Sequence, residues 1–418
     1  MSVEALRARI VTLDSEIERQ KNLLGKLEED KIRTLRQLNA ALDPVAHLPL
    51  EISSEIFLQS LAASPGEAPG LPTRLLHICN AWTDIALSTA RLWTTVPIHF
   101  PCGDECAEIL SIWFQRARNR PLSVWISLRG TPNNWNDHVS DILWRHGEQL
   151  KHLEILDDDL EEDSECDDDE PIDLFGNTAL ISLPLLETLT IRCGRHQRFY
   201  RGRQILELLH QSPNIVEFVI NDAVTVHDYG SEKLIVPTLR RLIIGLHTSR
   251  DDILGYLSLP ALETLSLPMS SVTNADLLAF IQRSAAPIQH LILGWPFYVT
   301  AFAQLHDCLR RILSLTRFEM WHPDTNVVMA LFAALADTSL LPNLHDLAIH
   351  IFPGDQSNIL DSAWSTFVHA LSNRHIDRLY IAPVNEYLPP DVLDSLQELV
   401  GAGANIHIGT DELNFLAA

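Results

Sequence analysis

The sequence predicts an α/β protein: a long N-terminal helix, a small helical segment, then a solenoid of strand–helix repeats around a curved parallel sheet. Three observations predict this architecture. A proline-free stretch over residues 3–42 carries apolar residues at helical spacing. Residues 43–98 contain two short amphipathic helical patterns. From about residue 150 onward one sequence pattern recurs, in which a turn is followed by a segment of alternating apolar and polar residues.

Residues 1–42 are predicted to form a coiled-coil-like helix about 60 Å long. Gln20 and Lys31 occupy core slots of its heptad, and the eleven residues from Leu24 to Leu35 form a stutter. A stripe this narrow needs a partner to cover it. We expect self-association as a parallel dimer; the alternatives are a helix that folds back on its own chain and one that stays largely exposed. The stripe comprises Leu6, Ile10, Leu13, Ile17, Leu24, Leu27, Leu35, Leu38 and Leu42.

Residues 43–98 are predicted to form two helices separated by a loop rich in Pro, Gly and Ala. The long helix must end at Asp43, because a following proline disfavours helical geometry. Pro49 suits the first turn of the next helix, where its missing N–H costs nothing. A second helical pattern starts near Thr73. The apolar stripes of the two patterns contain Ile52, Ile56, Leu75, Ile78, Cys79 and Trp82.

This segment resembles the F-box, and above all the large fungal group of that family. The residues that carry the resemblance are Leu48-Pro49, Glu51-Ile52, Ile56-Phe57, Cys79-Asn80-Ala81-Trp82 and Leu92-Trp93. They agree with the family pattern in order and spacing across two helices. Ala90 stands where that group usually has proline, and the loop from Ser64 to Pro72 is longer than in compact F-boxes.

The resemblance implies a face that docks a Skp-type adaptor, which links the protein to a cullin–RING ubiquitin ligase. Some members of this face must instead hold the two helices together, and the sequence does not divide the set. An ordinary helical hairpin is the alternative interpretation. The residues that the resemblance assigns to the face are Leu48, Pro49, Ile52, Ile56, Phe57, Ile78, Cys79 and Trp82.

The remainder is predicted to be a degenerate leucine-rich-repeat-like domain, over residues 172–418. Before it, residues 99–156 form an irregular first repeat or cap, in which strands at 96–100 and 122–128 flank a helix at 104–118. Beyond the first interval, which an acidic insertion stretches, the repeat spacing is 23 to 32 residues. The central apolar residues are Leu153, Leu189, Phe218, Leu242, Leu265, Leu291, Phe318, Leu347 and Leu379.

A solenoid of this kind presents a concave face, on which polar residues between the buried leucines contact a partner. Most of them are ordinary solvated strand positions, since few residues in any interface carry the energy. Two polar residues often precede a central leucine, and a shift of one residue moves a side chain to the other face of the strand. The sequence does not fix which of the two faces outward. The candidates for substrate binding are Glu187, Glu217, Arg240, Glu263, Gln289, His345 and Arg378.

The chain of 418 residues has a formal net charge of −24, which argues against nucleic acid and anionic membranes as partners. Residues 157–170 hold 11 of the 55 acidic residues, and removing them leaves a net charge of −13. So dense a run repels itself, which predicts a disordered acidic loop over residues 157–171. The rest of the chain carries charges of both signs, so the net charge of the whole chain does not predict a basic substrate.

Motifs for catalysis and for metal binding are absent from the sequence. There is no phosphate-binding loop, no nucleophile elbow and no H-E-x-x-H motif. Cys102 and Cys106 lack a second ligand pair at zinc spacing. The pair Cys193 and His196 lies at a predicted strand end, where cysteine is usually core. We therefore expect a protein that is not an enzyme and that needs no cofactor.

The expected function is that of a substrate-recognition adaptor in a Skp/cullin/F-box ubiquitin ligase. Its F-box, over residues 43–98, would dock the Skp-type adaptor, and its repeat domain would bind an unknown target protein for ubiquitination. A protein-binding scaffold that uses the solenoid without ligase function is the alternative, and a hydrolase hidden in the α/β region is a third. Sparse cysteines and the lack of an apolar leader predict a cytoplasmic or nuclear location.

Overall fold

The structure, a computed structural model, describes residues 3–61, 70–103, 105–129, 135–157, 173–175, 181–192, 200–221, 224–225, 233–245, 253–268, 274–294, 302–351, 359–384, 388–410 and 413–416. The predicted acidic loop therefore lies outside the described residues, apart from Asp157. The chain divides into two compact units. The N-terminal unit comprises Met1–Pro97 and Ser111–Arg120, and the sheet unit comprises Ile98–Leu110 and Pro121–Ala418.

The long N-terminal helix is confirmed. Helix α1 (Val3–Leu42) continues through Gly25 and through the predicted stutter. It ends at Leu42. The side chain of the next residue, Asp43, accepts a hydrogen bond from the backbone N–H of Val45 and so caps a short 3₁₀ helix, Pro44–His47. Helix α2 (Leu50–Leu61) follows, and Pro49 immediately precedes it.

The second helical pattern is broken in two. A 3₁₀ helix spans Pro72–His77, and helix α3 (Asn80–Ser88) starts only after Cys79. Cys79 is extended, with φ −156° and ψ 170°, and its Sγ accepts the backbone N–H of Trp82 at 3.5 Å. This capping contact satisfies a donor at the start of α3, which explains why the helix begins there. A third 3₁₀ helix, Ala90–Trp93, closes the segment.

The sheet unit is built on parallel strands. The strands in chain order are β1 (Thr95–Phe100), β2 (Leu122–Leu128), β3 (Leu150–Asp157), β4 (Thr188–Arg192), β5 (Tyr200–Arg201), β6 (Glu217–Asn221), β7 (Val224–Thr225), β8 (Leu234–Ile235), β9 (Arg241–Ile244), β10 (Leu257–Ser258), β11 (Thr264–Pro268), β12 (His290–Gly294), β13 (Arg317–Trp321), β14 (Asp346–His350), β15 (Arg378–Ala382) and β16 (Asn405–Ile408). Twelve of them form one sheet in the order β1-β2-β3-β4-β6-β9-β11-β12-β13-β14-β15-β16, which is chain order. The others form two short pairs, β5 with β7 and β8 with β10.

Described helices lie between most neighbouring strands of the large sheet. They are α4 (Glu105–Ala117), α5 (Asp137–Arg145), α6 (Gly202–His210), α7 (Ile253–Tyr256), α8 (Asn274–Ser284), α9 (Phe302–Leu309), α10 (Thr325–Leu335), α11 (Asp361–Ser372) and α12 (Pro390–Gly401). The two strands and the helix predicted between residues 96 and 128 are confirmed as β1, α4 and β2.

The register of the sheet is set by two buried columns of apolar side chains. Leu153, the fourth residue of β3, pairs with the second residue of β4, and the second residues of the following strands of the sheet pair with one another in turn. All nine predicted central residues, from Leu153 to Leu379, therefore lie in one buried row. Ile406 of β16, which was not among the predicted central residues, extends this row. A second row lies two residues further along each strand, as with Ile155 and Ile191. Each fully buried side chain of this kind contributes about 1.5–3 kcal/mol.

Candidate binding surfaces

The structure divides the eight predicted docking residues into two groups. Leu48, Pro49, Ile52 and Ile56 are exposed, and the three aliphatic side chains among them are 41%, 51% and 40% exposed. Phe57 and Cys79 are buried, while Ile78 and Trp82 are half-buried. These four exposed residues form the docking stripe. The other four belong wholly or partly to the packing between the helices.

The docking stripe is held in place by a short network at the start of α2. The buried Ser53 hydroxyl donates to the carbonyl of Val45 at 3.0 Å and lies 3.3 Å from the carbonyl of Pro49. These bonds tie the chain segment before α2 to the first turn of the helix. The stripe therefore has a fixed backbone, which lowers the entropy cost of binding a partner.

Trp82 and Phe57 form the contact between α2 and α3. Their ring centroids lie 4.6 Å apart, and the Trp82 indole N–H donates to the carboxylate of Asp43. Asn39, near the end of α1, donates to the carbonyl of Ile78 at 3.1 Å. Trp82 is therefore a structural residue as well as a docking candidate, because it joins α3 to the end of α1.

The second surface is the open face of the sheet, formed by the first, third and fifth residues of the strands. Of the seven substrate-binding candidates, Glu217 and Arg378 are first residues of their strands. The other five, Glu187, Arg240, Glu263, Gln289 and His345, lie one residue before a strand begins. They follow the amino-terminal edge of the sheet.

Four of the seven candidates make ion pairs with a residue on or beside a neighbouring strand. Arg240 contacts Glu263 at 3.3 Å, and Arg241 contacts Glu217 at 3.2 Å. Lys151 pairs with Glu187 at 3.2 Å, and the imidazole of a fifth candidate, His345, lies 3.8 Å from the carboxylate of Asp377. The three ion pairs are at least partly exposed to solvent, so each contributes at most about 1 kcal/mol. Ion pairs this weak leave the charged groups free to exchange partners.

A ladder of neighbouring rings, two of its three contacts stacked and one tilted, crosses the open face, and the sequence analysis did not predict it. The ring ladder consists of Trp321, His350, Tyr380 and His407, on four adjacent strands. Successive centroids lie 3.8, 4.9 and 4.9 Å apart. Trp321 is 40% exposed, which is high for so large an apolar side chain. Exposed tryptophan on a rigid surface is typical of interaction hot spots.

Beside the ring ladder lies Glu319, an acid that is buried although it stands on the open face. Its carboxylate accepts from Arg317 Nε at 2.6 Å, lies 3.1 Å from His290 Nε2, and accepts from the Trp321 indole at 3.4 Å. The hydrogen bond with His290, aided by the charge of Arg317, outweighs burial and lowers the pKa of Glu319 to about 2. This carboxylate anchors the side chains at the start of the ring ladder.

The depressed pKa predicts a pH-dependent stability. Because the folded protein favours the carboxylate, Glu319 stabilises the fold above its ordinary pKa of 4.5, and this contribution disappears as the pH falls towards about 2. We expect Glu319→Gln to lower the free energy of unfolding by about 2 kcal/mol at pH 7. In urea titrations, the gap between wild type and variant should close between pH 4.5 and 2. The exposed Glu263→Gln is the control, and a gap independent of pH contradicts the prediction.

The alternation of buried and outward positions along each strand could have identified Glu319 and the ring ladder from the sequence. Starting from the buried central residue, the next outward position is Glu319 in β13 and Tyr380 in β15. The predicted set concentrated on the residues before the central leucine and therefore missed those after it. Only the paired register brings the rings on four separate strands into contact.

Metal-ligating side chains and cysteine thiols are two kinds of group that can carry chemistry. Among the described residues, no group of three or more His, Cys, Asp or Glu side chains is placed to hold a metal ion. Burial, with a smaller effect of Asp307, raises the pKa of the Cys308 thiol to about 11, so it stays protonated at neutral pH. Cys193 and His196 lie outside the described residues. None of the described helices is long and apolar enough to cross a bilayer.

No protein-family model matches this chain, and no curated protein matches it in sequence.

Proposed function

We propose that this chain is an F-box protein, the substrate-recognition subunit of a Skp/cullin/F-box ubiquitin ligase. The observation that supports this most is the division within the F-box-like segment. Phe57 and Cys79 are buried, while the docking stripe presents Leu48, Ile52 and Ile56 to solvent. An exposed apolar stripe on a rigid helix, rimmed by charge, is typical of helix recognition by a partner groove.

We further propose that the sheet unit is a degenerate leucine-rich-repeat-like solenoid. The parallel strands follow chain order, and the repeated apolar residues pair in register, which supports this interpretation. In such a solenoid each repeat contacts its neighbours and the sheet forms a curved surface. The open face then serves as the target-binding surface.

The target is proposed to be a protein. The open face combines charges of both signs with aromatic rings, which suits a protein surface better than a phosphate backbone. In this proposal the chain is not an enzyme and uses no cofactor, because it raises the effective concentration of the target near a ubiquitin-charged enzyme. Its proposed location is the cytoplasm, the nucleus or both.

Affinity purification of the full chain from cells tests the ligase assignment. We expect a Skp-type adaptor and a cullin to copurify. Proximity labelling should then reveal proteins whose abundance rises when the proteasome is inhibited. Recovery of the adaptor without a cullin would favour a scaffold that uses the open face without ligase function. The ring ladder is compatible with that second function, since it lies in a different unit from the docking stripe.

The open face makes a separate prediction. Trp321→Ala removes the exposed ring of the ring ladder, and we expect at least tenfold less target in proximity labelling, because hot-spot aromatic residues carry much of the binding energy. Copurification of the adaptor should be unchanged. The control is Leu360→Ala, which removes a side chain that is 60% exposed at the start of α11. Equal target recovery with both variants would place the target elsewhere on the protein.

A further inference from the structure

Helix α1 presents its apolar stripe to solvent along most of its length. No described residue of the helix is buried. The side chains of the stripe before the stutter are 46–58% exposed: Leu6, Ile10, Leu13, Ile17, Leu24 and Leu27. Contact with α3 is near the end of the helix, where Asn39 donates to the carbonyl of Ile78. The stripe is thus a row of apolar side chains without cover, which is the usual condition of one strand of a coiled coil.

We propose that a second copy of this chain covers the stripe, in a parallel, in-register, two-stranded coiled coil over residues 6–27. The types of the core residues point to this oligomer. Ile10, Ile17 and Leu24 occupy a positions, two of the three being β-branched, and Leu6, Leu13, Gln20 and Leu27 occupy d positions. β-branched residues at a with leucine at d favour two parallel strands over three or four.

The flanking charges match in this register. In a parallel pair, the g side chain of one heptad lies beside the e side chain of the partner's next heptad. Arg9 at g then lies beside Asp14 at e, and Glu16 at g lies beside Lys21 at e. Both contacts join opposite charges, and the two-fold symmetry repeats each of them on the other side of the dimer.

The polar core residues fix the register and the end of the coil. Gln20 at d faces its own counterpart only when the two helices are in register, an arrangement that specifies alignment at some cost in stability. In the single chain its amide donates to Glu16 at 2.8 Å, so it is already oriented beside the charged flank. Lys31 at the next a position faces a second Lys31, and this repulsion ends the coil where the stutter begins.

The dimer goes beyond the proposed adaptor function and does not depend on it. A dimer carries two docking stripes and two open faces in one assembly. Two linked sites bind a multivalent target more tightly than either alone, because the second binding event is intramolecular.

Sedimentation of the full chain over a concentration series tests the proposal. We expect a reversible dimer. Glu16→Lys places a lysine beside Lys21 on both sides of the dimer and should raise the dimer dissociation constant about tenfold at low salt. The double variant Glu16→Lys/Lys21→Glu exchanges the two charges and should restore dimerisation.

Glu18→Lys is the matched control. Glu18 lies at a b position, pointing away from the partner, and its carboxylate lies 4.0 Å from Lys21 of its own helix. Glu18→Lys makes the same change of charge as Glu16→Lys and also removes an ion pair within the helix. Because position 18 does not face the partner, this variant should leave the dimer intact. Circular dichroism checks that each variant keeps its helix. A chain that stays monomeric at about 100 µM, a trimer, equal effects of Glu16→Lys and Glu18→Lys, or failure of the double variant to recover would each overturn the proposal.

Discussion

Replacement of Ile52 and Ile56 by alanine should weaken binding of the Skp-type adaptor about 100-fold, without lowering the stability of the protein. Both side chains lie on one face of α2 and are 51% and 40% exposed, so they contribute little to the folded chain alone. Buried against a partner, each is expected to be worth about 1–2 kcal/mol, and about 2.7 kcal/mol corresponds to 100-fold in affinity. Alanine has the higher helix propensity, so α2 should persist.

The measurement is direct titration of the purified chain with purified adaptor, next to thermal unfolding followed by circular dichroism. Asn80→Ala with Asp84→Ala is the control. These two exposed polar residues have the same four-residue spacing, on α3, and their truncation should leave affinity unchanged. If the double isoleucine variant binds as tightly as wild type, the docking stripe is not the adaptor site.

Truncation of Trp93 should have the opposite signature, a large loss of stability. Trp93 is fully buried, packs edge-to-face on Trp113 with centroids 5.2 Å apart, and lies under the guanidinium of Arg116. Its indole N–H donates to the carbonyl of Ala86 at 2.9 Å. Trp93→Ala leaves a large cavity and an unpaired carbonyl, and we expect a loss of about 3–5 kcal/mol.

Hydrogen exchange measures this loss locally, which matters because a chain of two units does not have to unfold in one step. Peptides from residues 50–61 and 80–93 should lose protection in Trp93→Ala. Trp93→Phe keeps most of the apolar volume and should recover most of the protection. Unchanged exchange in Trp93→Ala would show that this residue does not hold the N-terminal unit together. Adaptor binding should also fall in Trp93→Ala, but together with stability, which separates this variant from the isoleucine pair.

The F-box-like motif therefore combines two kinds of residue that the sequence does not distinguish. Ile56 and Phe57 are neighbours on one helix, both apolar and both expected in the docking face. Phe57 lies on the side of α2 that Trp82 of α3 contacts, whereas Ile56 lies on a side that is left to solvent. The helical pattern is also broken at Cys79, which sequence periodicity did not reveal, because the apolar spacing continues across the break.

The sequence by itself determined α1 and the buried central row of the sheet, but not the break at Cys79. The heptad stripe predicted α1, and the recurrent leucines and phenylalanines predicted nine buried strand positions, because these patterns follow from the periods of helix and strand. Only the tertiary structure decided which side chains meet between neighbouring strands. The ring ladder and the Glu319 cluster join residues about 30 positions apart, and their contact depends on the register of parallel strands rather than on any local pattern.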